Sequence, residues 1–378
     1  MPVIQTELRN QIIDAGLEPP ETLTLMMTEG CNLNCPHCLL DCQPAGRVSP
    51  VPGKIIMRLA AEFSELGGKG LWLTGGDPLT HPDWLEILRF SCDQPGLKEV
   101  CLQTNATLMS EEDIQDLLSL PRDKLALQIS LEGSNPDTHD LVRGKGGFEV
   151  TIRVLRLLSE AGLGDRTRVA FTEMRHNYDE LPEMIELVHT LGLGRLVSGT
   201  LVKGGRSLHH DWIEQPRSSQ IRVLITKYHQ EPAFSEIYER VGNIAAIEWF
   251  KGRNNPGDQG CHCIRTPFIN ARGKMYPCVM VLNDALAVDH AHDRSLKKTI
   301  SDALPKWAEL PKISRRRSAS LRACQGCPGR AHCGGGCMGR AEAAHGDAMS
   351  VEDRCQLRKA VYSWEPPIEQ PALDTSKN

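Results

Sequence analysis

Cys31-Asn32-Leu33-Asn34-Cys35-Pro36-His37-Cys38 places three thiols within eight residues of a single loop. Three such thiolates can hold three irons of a [4Fe–4S] cube and leave the fourth iron without a protein ligand, open to another molecule. The same residues suit a zinc knuckle or a redox pair, because closely spaced cysteines often bind zinc. The flanking sequence separates these readings.

From Thr22 onward, apolar strand-like runs alternate with longer amphipathic stretches. Strands are expected at 23–28, 70–74, 99–104, 125–131, 168–172 and 196–201, with helices near 55–66, 82–91, 110–119, 148–162, 179–191 and 216–229. Six βα units in succession imply a parallel sheet with crossover helices. Six are too few for an eight-fold barrel. The expectation is an α/β fold, a partial (βα)6 TIM-like barrel, with its chemistry at the C-terminal ends of the strands. The cysteine loop directly follows the first strand, as that arrangement requires.

Two further strand ends carry polar groups suited to a ligand. Thr74-Gly75-Gly76-Asp77-Pro78-Leu79 offers two glycines, where a backbone can approach closely, and a carboxylate able to accept from an ammonium group. Gln128-Ile129-Ser130-Leu131-Glu132-Gly133, followed by His139-Asp140-Leu141-Val142-Arg143-Gly144, brings a hydroxyl and a guanidinium suited to a carboxylate or a ribose. Taken singly, these are a turn, a capping serine and a solvated arginine. Their recurrence at strand ends on the side of the cysteine loop favours a shared site.

Beyond residue 230 the βα rhythm stops and short apolar pieces lie between Gly, Pro and Cys, which marks a second domain. The stretch from Cys263 through Gly273 to Cys278 reads as a hairpin turning at the glycine, with both thiols at its open end. Cys324, Cys327, Cys333, Cys337 and finally Cys355 follow. By spacing alone these cysteines suit zinc ribbons as well as iron–sulfur clusters. The domains expected are an N-terminal extension at 1–20 closed by Pro19-Pro20, a barrel at 21–230, a cysteine-rich domain at 231–360 and a tail at 361–378.

Together these segments resemble the radical S-adenosylmethionine (SAM) superfamily. Cys31 to Cys38, with His37 before the last cysteine, is similar to its cluster loop. The Gly75-Gly76 turn is similar to its Gly-Gly-Glu-Pro motif, with Asp77 in place of Glu. The stretches at Ser130 and Arg143 are similar to its SLDG and HD-x-x-RG patterns, with Glu132 where Asp is usual, and Asn105 matches the TNG of the third strand. The C-terminal cysteines resemble the SPASM domain, which carries two auxiliary [4Fe–4S] clusters.

The resemblance implies a SAM-binding cluster on Cys31, Cys35 and Cys38, with the SAM amino group held at Gly75, Gly76 and Asp77 and its carboxylate at Ser130 and Arg143. It implies auxiliary cluster I on Cys263, Cys278 and Cys337, with Cys261 the candidate fourth ligand, and cluster II on Cys324, Cys327, Cys333 and Cys355. The implied activity is that of a radical SAM oxidoreductase or maturase, which cleaves SAM reductively to a 5′-deoxyadenosyl radical that takes hydrogen from a substrate. The expected substrate is a ribosomally made peptide or protein. The alternative is a haem or other cofactor precursor, and the rival of another class is a zinc-stabilised non-catalytic binding protein. Sulfatase-maturing relatives carry Asp after the cysteine that Cys278 matches, and here Val279 stands there. A small redox protein as electron donor and a separate leader-binding protein are the implied partners.

Composition narrows the classes further. A formal net charge of -5 and a pI near 6.2 give no basic face for nucleic acid and no polybasic membrane patch. No stretch reads as a membrane span or secretory signal, so a cytoplasmic location is expected, where 14 cysteines are more often ligands than disulfides. Cys42, Cys92 and Cys101 fall outside every motif and read as buried core. Arg315-Arg316-Arg317 reads as a solvated loop, and His209-His210 as exposed loop residues or part of a substrate cavity.

Overall fold

The computed structural model describes residues 3–255, 261 and 263–366. Six parallel strands run in chain order: β1 (Thr22–Met26), β2 (Gly70–Thr74), β3 (Glu99–Thr104), β4 (Leu125–Ser130), β5 (Thr167–Glu173) and β6 (Arg195–Thr200). Two short strands, β7 (Phe268–Ile269) and β8 (Met275–Tyr276), extend the sheet beyond β1, to which β7 pairs in parallel. The hairpin expected between Cys263 and Cys278 thus exists, with Gly273 at φ +77° in its turn. It is also part of the barrel's own sheet.

Side-chain alternation along the strands divides two environments. Leu23, Leu25, Leu71, Leu73, Val100, Leu102, Leu127, Ile129, Val169 and Phe171 are buried in the core shared with the crossover helices. The alternate residues Thr74, Gln103, Gln128, Ser130 and Thr172 line a cavity instead. One cavity touching the ends of successive strands requires a curved sheet, as in a partial barrel. The helices follow the same logic. Ile56, Leu59, Ala60 and Phe63 bury one stripe of α2 (Gly53–Glu65), at the spacing of an amphipathic helix.

The remaining helices are α1 (Val3–Asp14), α3 (Trp84–Cys92), α4 (Glu111–Leu117), α5 (Pro136–Arg143), α6 (Gly147–Glu160), α7 (Leu181–Thr190) and α8 (Ser218–Gln230), then α9 (Pro232–Val241), α10 (Ala245–Gly252), α11 (Leu296–Trp307), α12 (Leu310–Ser320), α13 (Arg330–Cys333), α14 (Met338–His345) and α15 (Cys355–Tyr362). The second region is therefore more helical than its sequence suggested. It also grips the barrel: Arg58 of α2 donates to the carbonyls of Ala291 (3.1 Å), His292 (2.9 Å) and Arg294 (2.8 Å). No helix of the described residues is long and apolar enough to cross a membrane.

Candidate functional site

The cysteine loop is held from three sides. Gly30–Cys31 pairs in parallel with Gln43–Pro44, closing the segment on itself. From the end of β3, Asn105 Nδ2 donates to Asn32 Oδ1 at 2.9 Å, and Asn32 Nδ2 donates to Thr107 Oγ1 at 2.8 Å. From beyond β6 comes Arg206. Its backbone N–H donates to Cys38 O at 3.0 Å, its Nη1 to Cys35 O at 3.1 Å and its Nη2 to Cys42 O, while Nε lies 3.2 Å from Asp41 Oδ1. Gly205 has to be glycine there, since φ is +52° and a Cβ would stand 2.3 Å from Leu39 O. The loops after the first and last barrel strands are thereby joined. The His209-His210 stretch contributes this arginine to the cavity wall; among the described residues neither histidine lines it.

Gly75 and Gly76 have a local reason to be glycine as well. Gly76 N–H donates to Thr28 O at 2.8 Å and Asp77 N–H to Gly30 O at 2.9 Å, so the turn runs against the cysteine loop's backbone. A Cβ on Gly76 would lie 2.2 Å from Gly30 O. Asp77 lines the cavity but is 1% exposed. Its carboxylate accepts from Thr104 Oγ1 (2.9 and 2.8 Å), Asn105 N–H (2.7 Å) and Leu79 N–H (3.0 Å). Those bonds tie β2 to β3 under the loop. They occupy most of the acceptor capacity of this shorter acid.

Ser130 and Arg143 line the same cavity. Arg143 closes α5, and its Nη2 donates to Glu132 Oε1 at 2.6 Å. Glu132 also accepts from Thr172 N–H at 2.6 Å and Thr172 Oγ1 at 3.3 Å, and His37 Nε2 lies 3.5 Å away. Burial opposes ionisation of Glu132, yet the Arg143 charge and the hydrogen bonds from His37 and Arg143 hold its carboxyl well below the usual range. Glu132, noticed in the sequence only as a variant motif position, is the counter-charge of the site. Arg143 Nε and His37 Nδ1 are buried without hydrogen-bond partners.

These residues enclose about 420 Å³ lined by Cys31, Cys35, Cys38, Gly75, Gly76, Asp77, Ser130, Arg143 and Arg206. Cys42 is buried as expected, but it lines this cavity rather than a distant core. A hydrogen bond from its thiol lowers the pKa of Cys38, while burial pushes Cys31 up to about 11 and Cys35 upward. Three softly ligating sulfurs, two cationic side chains and unpartnered N–H and ring nitrogen atoms around one space suit an anionic sulfur-ligated metal group with an amino-acid-bearing ligand beside it.

The C-terminal cysteines fall into two groups. Cys324, Cys327, Cys333 and Cys355 surround one small cavity of about 30 Å³. Cys261, Cys278 and Cys337 act electrostatically on one another, and burial pushes Cys278 up to about 12. The side chain of Cys263 lies outside the described residues. Among the described residues no three His, Cys, Asp or Glu side chains close on a point as one ion requires, with sulfur about 2.3 Å from the metal. Arg315-Arg316-Arg317 lies within α12 and not in a loop; Arg315 and Arg316 are solvated as expected, but Arg317 is 0% exposed and turned toward these cysteines. Leu310, Ser314 and Arg317 share the buried stripe of that helix, a periodicity that the charge run disguised.

Comparison with known proteins gives the chain its relatives. Residues 25–188 match the Radical SAM superfamily. The chain is 27% identical over 359 residues to the AdoMet-dependent heme synthase of Methanosarcina barkeri, covering 90% of this chain and 97% of that protein. It is 28% identical to the antilisterial bacteriocin subtilosin biosynthesis protein AlbA of Bacillus subtilis, covering 84% and 67% respectively. It is 26% identical to the mycofactocin maturase MftC of Mycolicibacterium smegmatis, covering 86% and 80%. Among solved structures, native anSMEcpe with bound AdoMet superposes with a TM-score of 0.70 at 16% identity, over 91% of this chain and 96% of that one. Streptococcus suis SuiB bound to precursor peptide SuiA gives 0.66 at 16%, over 93% and 79%. At these identities the structural likeness speaks for the fold.

Proposed function

Residues 25–188 are a radical SAM domain and the chain is an enzyme of that chemistry; from this premise we propose a maturase that oxidises a ribosomally made peptide, with Cys31, Cys35 and Cys38 holding the SAM-binding [4Fe–4S] cluster. The observation that carries the assignment is the single cavity shared by these cysteines with Gly75, Gly76, Ser130 and Arg143. Cluster and SAM, once bound, supply the 5′-deoxyadenosyl radical. The chain's own residues do the rest. Arg143 and Ser130 would receive the SAM carboxylate, Glu132 offsets the charge of Arg143 and aims it, and the carbonyls of the Gly75-Gly76 turn would receive the amino group, assisted by what acceptor capacity Asp77 retains. Arg206 and Asn105 hold the loop whose three cysteines line the cavity and would carry the cluster.

A second cavity of about 370 Å³ shares Leu39, Val202, Val279 and Met280 with the first and continues to Asn283 and Glu342. It supports a substrate seated between the barrel mouth and the cysteine-rich region. Val279 there offers no base, in keeping with a substrate other than a sulfatase. Cys324, Cys327, Cys333 and Cys355 form the site of one auxiliary cluster, and Cys278 and Cys337, with Cys261 and Cys263, that of the other. A peptide is favoured because AlbA is named for the biosynthesis of a bacteriocin, MftC is named a maturase, and SuiB was solved with a precursor peptide. The haem-precursor reading keeps one observation in its favour, the 97% coverage of the heme synthase. The test is anaerobic reconstitution: about twelve irons per chain, with SAM and dithionite giving 5′-deoxyadenosine. Cys35→Ala should abolish that product and retain the auxiliary clusters. Four irons with bound zinc, or continued 5′-deoxyadenosine release by Cys35→Ala, would remove the assignment.

A further inference from the structure

Arg317 is a buried cation with too few partners. Its side chain is 0% exposed, and Nη2 donates to Gly335 O at 2.8 Å, but Nε and Nη1 have no hydrogen-bond partner. Burial of a guanidinium in this state is strongly unfavourable, and the group does not escape by losing its proton. The nearby acid is already committed. Glu352 accepts from Cys337 N–H at 3.0 Å, Arg354 Nη2 at 3.2 Å and Arg358 Nε at 2.5 Å. Other groups that act electrostatically on Arg317 are Cys337, Cys324 and Cys333.

Its place in the chain's path explains this company. Cys333-Gly334-Gly335-Gly336-Cys337 links the two cysteine groups, with left-handed φ of +59°, +87° and +78° at the three glycines. A Cβ on Gly335 would stand 2.8 Å from Arg317 Cβ, and one on Gly336 would stand 2.6 Å from Glu352 Cδ. The run therefore passes between Arg317 on one side and Glu352 on the other, with Cys333 in one group and Cys337 in the second. An orphaned guanidinium at that junction calls for anionic charge on the cysteines of both groups.

We infer that Arg317 is the shared counter-charge of the two auxiliary clusters, a positioning residue whose unpartnered N–H groups serve cluster sulfur and whose charge raises the reduction potential of both. The inference rests on the auxiliary-cluster reading above. Its readouts are iron content, potential and cluster lability, and none depends on turnover. Hydrogen bonds to sulfur and net charge are among the known determinants of cluster potential.

The experiment compares anaerobically reconstituted wild type with Arg317→Lys, Arg317→Gln and Arg317→Met. The SAM-responsive electron paramagnetic resonance signal reports the barrel cluster and serves as an internal control. In Arg317→Met the SAM-insensitive signals should become at least about tenfold harder to reduce, about 59 mV for one electron, and release iron to a chelator about tenfold faster. The barrel signal should not move. Arg317→Lys should keep most of the potential, whereas Arg317→Gln should lose it. Wild-type potentials and release rates in a fully loaded Arg317→Met would overturn the inference, as would equal shifts in all three clusters. Should Arg317→Met lose auxiliary iron outright, retention by Lys and loss by Gln supports it, and any other pattern overturns it. A wild type holding only four irons would instead overturn the underlying cluster reading, so the two failures are distinguishable.

Discussion

Replacing Glu132 by glutamine keeps the side chain's shape and one carbonyl acceptor for Thr172 N–H, and removes only the charge that faces Arg143. The pair is buried, with the carboxylate 1% and the guanidinium 13% exposed, and Nη2 stands 2.6 Å from Oε1. Unit charges at about 4 Å attract by about 4 kcal/mol at an effective dielectric constant of 20, and removing one member of a buried pair costs about 3–5 kcal/mol. Since no cavity forms, the lower end applies, about 3 kcal/mol. Urea unfolding of the apo protein should show a midpoint lower by about 1 M if the slope is near 3 kcal/mol per M. Arg143→Met in the same background should recover at least half, because the orphaned cation is gone. The pH dependence has a definite sign. The folded pKa of Glu132 is depressed, so its stabilisation is fully present above the unfolded value of about 4.3 and is lost as pH falls below it. The difference between wild type and Glu132→Gln should be flat from about pH 6 to about pH 8 and shrink below about pH 4. A cost under about 1 kcal/mol, or a double variant no more stable than the single, would refute the reasoning.

Two further outcomes follow from the same geometry. Arg143→Ala should weaken SAM binding about ten- to a hundred-fold, or roughly 1.5–3 kcal/mol, since it removes the carboxylate's partner and leaves Glu132 uncompensated; Arg143→Lys should rescue only part of this. Equilibrium binding to iron-loaded protein measures it, and wild-type affinity in the Ala variant would take Arg143 out of the site. Arg340 is buried and donates to both oxygens of Asp353 (2.6 and 2.8 Å) and to the carbonyls of Thr200 (3.0 Å) and Leu201 (2.5 Å), pinning the cysteine-rich region to the end of β6. Arg340→Lys should cost about 2–4 kcal/mol and raise amide exchange in 196–201 and 338–345 together; unchanged exchange would show that the docking rests elsewhere.

The sequence made legible what depends on local pattern. Six alternating units predicted the parallel strands, because Val, Leu and Ile runs with flanking amphipathic stretches encode them directly. The glycine turn and the cysteine loop could be placed together because both follow strands of one parallel sheet. Arg206 stayed invisible because its partners are backbone carbonyls 171 and 164 residues away, and no spacing rule reaches that far. Strands β7 and β8 have two residues each, too few to show a period, so nothing foretold that they would extend the barrel's sheet. Arg317 was missed for the opposite reason, since a helical stripe was present and three adjacent arginines argued for solvent.

The clasp at Arg206 also has a consequence in time. A chain is made from its N-terminus at about 5–20 residues per second, and the carbonyl of Cys35 waits for a donor 171 residues downstream. During synthesis Cys35 is therefore made roughly 10–30 s before Arg206, the last of the residues that hold the loop. For that interval the loop has its contacts to Gln43–Pro44 and Asn105 but lacks the clasp on the carbonyls of Cys35, Cys38 and Cys42. The clasp thus makes the finished geometry of this loop depend on a segment that is synthesised after all six barrel strands are complete.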